Sequence, residues 1–297
     1  MGTPDFAVKS LERLYSDGHD IAAVFTKPDK PCKRGMKVSL SPVKEIALNR
    51  GTPVFQPVSL NGGAVLDKLN ELRCELIVVV AYGKILPREI LEAPRSGCVN
   101  IHASLLPKYR GAAPIQWAVL NGERETGVTS MYMAPDLDAG DILFSRKTPI
   151  GENETAGELY DRLKYISAEL LGDTISAILS GEAAGIPQNH DEATFAPPLS
   201  KDMAPIDWAE TAFVIRNKVR GLNPWPVATA SLNNVTFKVF DVDTNRGGFT
   251  GAAGVIVSSG ENGIEVSCAD GTVIIKELQA PGGKRMSAAQ YLRGHHI

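Results

Sequence analysis

"ELIVVVAYG" (residues 75–83) is a near-continuous apolar run closed by Tyr-Gly, and "DIAAVFT" (20–26) and "CVNIHAS" (98–104) are built the same way. Amphipathic segments alternate with these runs: "PVKEIALNR" (42–50), "AVLDKLNEL" (64–72), "PREILEAP" (87–94) and "APIQWAVLNG" (113–122). Apolar strands spaced by helices predict a parallel sheet covered on both faces, a doubly wound α/β domain. Ligands of such folds bind beyond the carboxyl ends of the strands. The loops "AYGKILP" (81–87) and "HASLLP" (102–107) begin there, which puts the candidate site between them.

Further along, Leu159, Leu163, Ile166, Leu170 and Leu171 recur at helical spacing and predict one long helix over 155–180, stopped by Gly181. Residues 182–205 carry prolines at 187, 197, 198 and 205 with little periodicity and read as a linker. After it come a helix, "ETAFVIRNKVRGL" (210–222), and short strands punctuated by Asn-Asn, Gly-Gly, Asn-Gly and Asp-Gly, the pattern of a small β-barrel. The expected organisation is a catalytic domain over 1–181, a linker over 182–205 and a barrel over 206–297.

The formal net charge of −3 gives no overall nucleic-acid signature, so any such binding rests on a local patch. Cys32, Cys74, Cys98 and Cys268 are scattered, without a CxxC pair or a histidine cluster, which argues against a disulfide framework and a structural zinc site. No apolar run approaches the roughly 20 residues of a membrane span. A cytoplasmic protein is expected.

Asn100 and His102 are two apart, so on a strand they project from one face. An asparagine amide suits a developing oxyanion, and a histidine stabilises charge or moves a proton near neutral pH. The carboxylate-rich loop "DLDAGD" (136–141) offers a partner, and Asp138 is the choice. Taken one at a time the same residues have plainer readings: a packing histidine, a loop-capping asparagine, a turn aspartate, and a solvated turn at Arg110-Gly111. Nucleophile elbow, HExxH and Walker patterns are all absent from the sequence, leaving covalent, metal and phosphoryl mechanisms little support.

The joined string "CVNIHASLLPKYRGAAPIQWAVLNGERETGVTSMYMAPDLDAGDIL" (98–143) resembles the catalytic core of the folate-dependent formyltransferases. The likeness continues through "GTPDFAV" (2–8), "FTKPDKPCKRGMKVSLSPVKEIA" (25–47), "VVVAYGKILP" (78–87), "LSKDMAPIDW" (199–208), "GLNPWPVA" (221–228) and "APGGKRMSAAQYL" (280–292), nearly the whole chain. Within the superfamily it is similar to members that move the formyl group of 10-formyltetrahydrofolate to the α-amino group of methionine on initiator tRNA. The resemblance implies a Rossmann-like domain with a C-terminal OB-like barrel, a cytoplasmic monomer, and no metal. It places the catalytic Asn, His and Asp on Asn100, His102 and Asp138, and the folate pocket on Ser104, Leu105, Leu106 and Pro107. Asp136 and Ala139 depart from the family's Gly and Thr, a change that matters if the loop needs positive φ at 136 or a hydroxyl at 139.

Residues 27–44 carry Lys27, Lys30, Lys33, Arg34, Lys37 and Lys44 against Asp29 alone, a plausible grip on phosphates. The family's tRNA contacts fall on Lys33, Arg34 and Lys37, and the helix leading into the barrel adds Lys218 and Arg220. Two other readings stay open: a sibling that formylates a sugar amine or glycinamide ribonucleotide, and a binding protein without catalysis. Family members also carry a β-strand before "GTPDF", and its absence from this sequence predicts a slot beside "LIVVVA" where a central strand belongs.

Overall fold

A computed structural model places the 75–83 run in the strand Ile77–Val80, paired in parallel with Cys98–His102 so that Val79 stands opposite Asn100. It describes residues 1–32, 37–245, 247 and 251–297. Cys98–His102 pairs antiparallel with Glu125–Tyr132, and that strand pairs antiparallel with Ile142–Pro149. A second parallel pair joins Val24–Phe25 to Val54–Phe55. The buried faces of these strands meet a core that includes Phe25, Leu69, Ile77, Val79, Tyr82 and Ile90.

Between Phe25 and Val80 stands the main chain of Met1 and Gly2. Gly2 N–H donates to Phe25 O (3.0 Å), Val80 N–H donates to Met1 O (2.9 Å), and the Met1 nitrogen donates to Val78 O (2.6 Å). Beside this bridge lies a cavity of about 480 Å³, lined among others by Ala7, Leu11, Leu14, Phe25, Leu69 and Ile77.

Helices cover the sheet as the periodicity requires. Phe6–Ser16 buries Phe6, Ala7, Leu11 and Leu14. Pro42–Asn49 starts with proline in its first turn, and the Ser41 side chain accepts the Lys44 N–H as its cap. Ala156–Ser180 buries Leu159, Leu163, Leu170 and Leu171, and Gly181 ends it at φ 78°.

The described chain divides into two compact units: Met1–Pro114, Glu125–Pro149 and Tyr160–Ala196 form the first, and Ile115–Arg124, Ile150–Leu159 and Pro197–Ile297 the second. This corrects the expected linker over 182–205, because residues up to Ala196 are built into the first unit. Ile186 bridges Ile142, and Phe195–Ala196 pairs in parallel with Arg110–Gly111. Gln188 in the same segment is 6% exposed. Main-chain pairing and buried polar groups hold this stretch, and neither leaves a hydrophobic period in the sequence.

The second unit is a six-stranded antiparallel sheet in the order Ala228–Leu232, Val235–Asn245, Gly271–Gln279, Gly263–Cys268, Ile256–Gly260, with Met286–Ser287 added to Gly271–Gln279. Its core takes Phe237, Val239, Ile264, Val266, Ile275 and Leu278 from the strands, and Ala212, Ile215 and Val219 from the helix Ala212–Gly221. Thr211 caps that helix by accepting the Val214 N–H. Among the described residues no helix is long and apolar enough to cross a membrane.

Two consequences are measurable. Leu171→Ala empties a fully buried position and is expected to lower unfolding free energy by about 3 kcal/mol in a urea titration. Cys98 lies at the start of the central strand, where burial above all, and Cys74 to a lesser degree, pushes its thiol up to about 12. Alkylation at pH 8 should therefore spare Cys98 in the folded protein and reach it after unfolding, read by mass spectrometry.

Candidate functional site

Asn100 and His102 project from one face of the Cys98–His102 strand, where their main chains pair with Met131 and Thr129. Both are buried, at 8% and 6% exposure. Asp138 comes to them from the turn between Glu125–Tyr132 and Ile142–Pro149. Its Oδ2 lies 3.6 Å from His102 Nδ1 and accepts the Gly111 N–H at 2.8 Å, while its Oδ1 accepts from Asn100 Nδ2 at 3.5 Å.

The histidine's hydrogens follow from its neighbours. His102 Nε2 is 2.8 Å from the Tyr109 carbonyl oxygen. A carbonyl only accepts, so Nε2 carries the hydrogen and donates it. Nδ1 then faces the Asp138 carboxylate across 3.6 Å. The Asn100 amide is at the limit of hydrogen-bond reach from Asp138, which leaves its donors able to turn toward a third group.

The backbone around this cluster is unusual in the places that matter. Tyr109, whose carbonyl orients His102, has φ 61°, and Asp138 itself has φ 48°. Left-handed conformations are uncommon away from glycine, though Asp tolerates them better than most residues. Asp136 therefore meets no left-handed requirement, since the left-handed position in this loop is 138. Ala139 lacks a hydroxyl, but the Asp138 carboxylate already has the Gly111 and Asn100 donors. Gly111 has φ 119°, and a Cβ there would stand 2.8 Å from Ala196 O. A Cβ on Gly140 would stand 1.8 Å from Tyr132 O, so the turn closes only with glycine.

The 104–107 turn follows directly from His102. Thr129 Oγ1 donates to Ser104 O (2.7 Å) and accepts the Leu106 N–H (3.2 Å), and Ser104 Oγ donates to Lys108 O (2.6 Å). Ser104 and Leu106 are buried, with Leu105 and Pro107 partly exposed. The second loop, 81–87, presents Ile85 at 77% exposure, and Lys84 Nζ ties it to the carbonyls of Pro57 and Val58 at 2.6 and 2.7 Å.

Of the expected cations, Lys33 and Arg34 lie outside the described residues. Lys37 opens the strand Lys37–Ser39, paired antiparallel with Lys30–Cys32. Lys44 is committed locally: its Nζ donates to Asp29 Oδ2 and Gln56 Oε1, both at 2.5 Å. Burial pushes the Asp29 carboxyl up, but hydrogen bonds from Lys44 and Gln56 outweigh it and the net shift is downward. Lys218 and Arg220 brace the second unit. Lys218 Nζ donates to Pro205 O, and Arg220 Nη1 donates to the carbonyls of Gly151 (3.0 Å), Glu152 (3.2 Å) and Glu154 (3.3 Å). Burial lowers the pKa of both, with nearby Arg216 adding to the shift at Arg220.

Three contributors escaped the sequence reading. Gly111 supplies a main-chain donor. Arg110, read as part of a solvated turn, is 5% exposed, with Nη2 and Nε donating to Gln188 Oε1 at 2.6 and 3.2 Å. Gln188 Nε2 in turn donates to the carbonyls of Asp138 (2.9 Å) and Gly140 (2.7 Å). "YRG" hints at a special backbone at Gly111, whereas nothing marks Gln188.

Comparison with known proteins fits this geometry. Residues 1–175 match the formyl transferase family model and residues 198–296 the formyl transferase C-terminal domain. A methionyl-tRNA formyltransferase from Alkaliphilus oremlandii is 47% identical over 297 residues, covering 100% of this chain and 96% of its own. Another from Moorella thermoacetica is 48% identical over 295 residues, covering 99% and 95%. Among solved structures, an N-formyltransferase from Helicobacter canadensis in complex with folinic acid and dTDP-3-aminofucose aligns with a TM-score of 0.69 at 23% identity, over 96% of this chain and 97% of its own. HypX from Aquifex aeolicus with tetrahydrofolic acid aligns at 0.59 and 19% identity, over 82% and 43%. At those identities the structural likeness is one of fold. With both domain models matched and relatives close to half identical along its length, the chain belongs to the formyl transferase family.

Proposed function

We propose that the chain transfers the formyl group of 10-formyltetrahydrofolate to the α-amino group of methionine on initiator tRNA, acting as a cytoplasmic monomer. The observation that carries this reading is the gathering of Asp138 onto the buried pair Asn100 and His102, in a chain 47% identical over its full length to a relative named for that reaction. The sugar-amine reading has weaker support, since the solved structure bound to an amino sugar nucleotide is only 23% identical.

In the proposed mechanism Asn100 donates its amide N–H to the oxygen of the formyl group as the substrate amine attacks its carbon, and the His102 imidazole stabilises the charge that develops there. A preorganised donor of this kind is typically worth about 3 kcal/mol in the transition state. The new C–N bond forms to methionine, and the bond from the formyl carbon to the folate nitrogen breaks. Asp138 takes the proton the amine gives up, and that proton passes to the leaving folate nitrogen. Ser104, Leu105, Leu106 and Pro107 form one wall for the pterin, and the 81–87 loop, with exposed Ile85, supplies the second. Apolar walls with few polar groups suit a flat ring.

Lys33, Arg34 and Lys37 supply the phosphate contacts to tRNA. Lys218 and Arg220 contribute by holding the 151–154 turn and Pro205 in place, since their donors are engaged with those carbonyls.

Met-tRNA should be formylated in preference to free methionine and to a nucleotide-linked amino sugar, and a preference for the sugar would reverse the assignment. His102→Ala and Asp138→Asn are each expected to lower kcat by about 100- to 1,000-fold with folding retained, the range for a lost oxyanion stabiliser or general base. Activity within a few-fold of the parent protein in either variant would remove the triad from the mechanism. Arg34→Ala is expected to weaken Met-tRNA binding, leave folate binding alone, and show a smaller effect as salt rises because counterion release sets the electrostatic term. Equal losses for folate and tRNA would mark the loop as structural.

A further inference from the structure

We propose that Gln188 is a positioning residue for the transfer, acting through the main chain of the Asp138 turn. The inference rests on the function proposed above and adds a residue to it. Three observations lead to it.

The first is orientation. Arg110 Nε and Nη2 both donate to Gln188 Oε1, which fixes which end of the amide is oxygen. Nε2 must therefore face the other way, where both its hydrogens meet carbonyls, Asp138 O and Gly140 O. The second is burial. Gln188 and Arg110 are 6% and 5% exposed, so neither water nor a neighbouring rotamer readily replaces these bonds. The third is what the two carbonyls belong to. They flank Ala139 and clamp the turn immediately after a left-handed Asp138, a conformation that persists only where its surroundings over-determine it. The Gly111 N–H holds the carboxylate from one side, and Gln188 holds the main chain that carries it from the other.

Arg110 has a place in the same device. Its N–H donates to Thr194 O (2.8 Å), and Nη1 and Nη2 lie 3.3 Å from His190 Nδ1. The guanidinium is thus tied to the segment that brings Gln188. Direct transfer between two bound substrates depends on placement, and an error of about 1 Å can cost on the order of 100-fold in rate.

The test separates positioning from mere attachment of the 186–196 segment. Gln188→Glu keeps the acceptor for Arg110 but has no hydrogen for the two carbonyls, and Gln188→Met removes both functions. Each is expected to lower kcat for Met-tRNA formylation about 10- to 100-fold, with KM for both substrates within two-fold of the parent protein. In the substrate-free protein, the low-field proton resonance of His102 Nε2–H, assigned by its loss in His102→Ala, is expected to shift in both variants as Asp138 moves off Nδ1. That signal needs no substrate, so it reports on the Asp138 turn even if the parent protein proves inactive on Met-tRNA, an outcome that would instead sink the proposed function. Parent-like kcat with an unmoved resonance in Gln188→Glu would overturn the inference. Failure of Gln188→Glu to fold would also overturn it, by making the residue a structural tie.

Discussion

The N–H of Gly111 points at Asp138 Oδ2 over 2.8 Å because its strand neighbour across the way is Ala196, and the two backbones approach too closely for any Cβ. The N–H groups of Ala112 and Ala113 both go to Ala196 O, and the Arg110 N–H goes to Thr194 O. Those bonds fix the 110–113 turn, and the turn fixes the donor. Tyr109, one residue earlier, is held by its own N–H on Thr194 Oγ1, and its carbonyl sets the tautomer of His102. One short pairing between two distant pieces of chain therefore places both the carboxylate and the imidazole of the cluster.

This arrangement explains why the site tolerates positive φ at Tyr109 and Asp138. Each such residue costs on the order of 1–3 kcal/mol and returns to an ordinary conformation unless its surroundings hold it. Tyr109 is held by Thr194 on one side and His102 on the other, and Asp138 by Gly111 and Gln188. Both sets of ties reach the segment 188–196. The strained residues carry the atoms of the site, and the unstrained segment supplies the counterforce.

Legibility in the sequence follows from the same physics. The strands Ile77–Val80 and Cys98–His102 are visible as near-continuous apolar runs and the helix Ala156–Ser180 as an apolar period, and each lies where its pattern puts it. Asn100 and His102 were visible because a two-residue spacing on a strand needs no knowledge of the rest of the fold. Gln188 and Thr194 were not, since a single buried polar residue held by main-chain bonds looks the same in sequence as a polar residue in a loop. That is why both fall inside the stretch, 182–205, that reads as a linker. Charge was the least legible property: Lys44, Lys218 and Arg220 counted as available cations, yet their nitrogens are engaged with Asp29, Gln56 and main-chain carbonyls.

The style of the scaffold matches the chemistry proposed for it. An enzyme that forms a covalent intermediate can lean on the reactivity of one nucleophile, but the thiol on the central strand, Cys98, is buried, pushed up to about 12, and 3.6 Å from the carbonyls of Ile90 and Leu91. On the proposed mechanism, the cluster accelerates a transfer by where it holds its donors and its carboxylate. Long side chains in water are poor holders, because each loses rotamer freedom on ordering. Main-chain N–H and C=O groups have already lost that freedom in folding. The donors and acceptors that fix this site come largely from Gly111, Tyr109, Asp138 and Gly140 backbones, with a buried amide to connect them, and the cluster is therefore ordered by the fold itself before any substrate arrives.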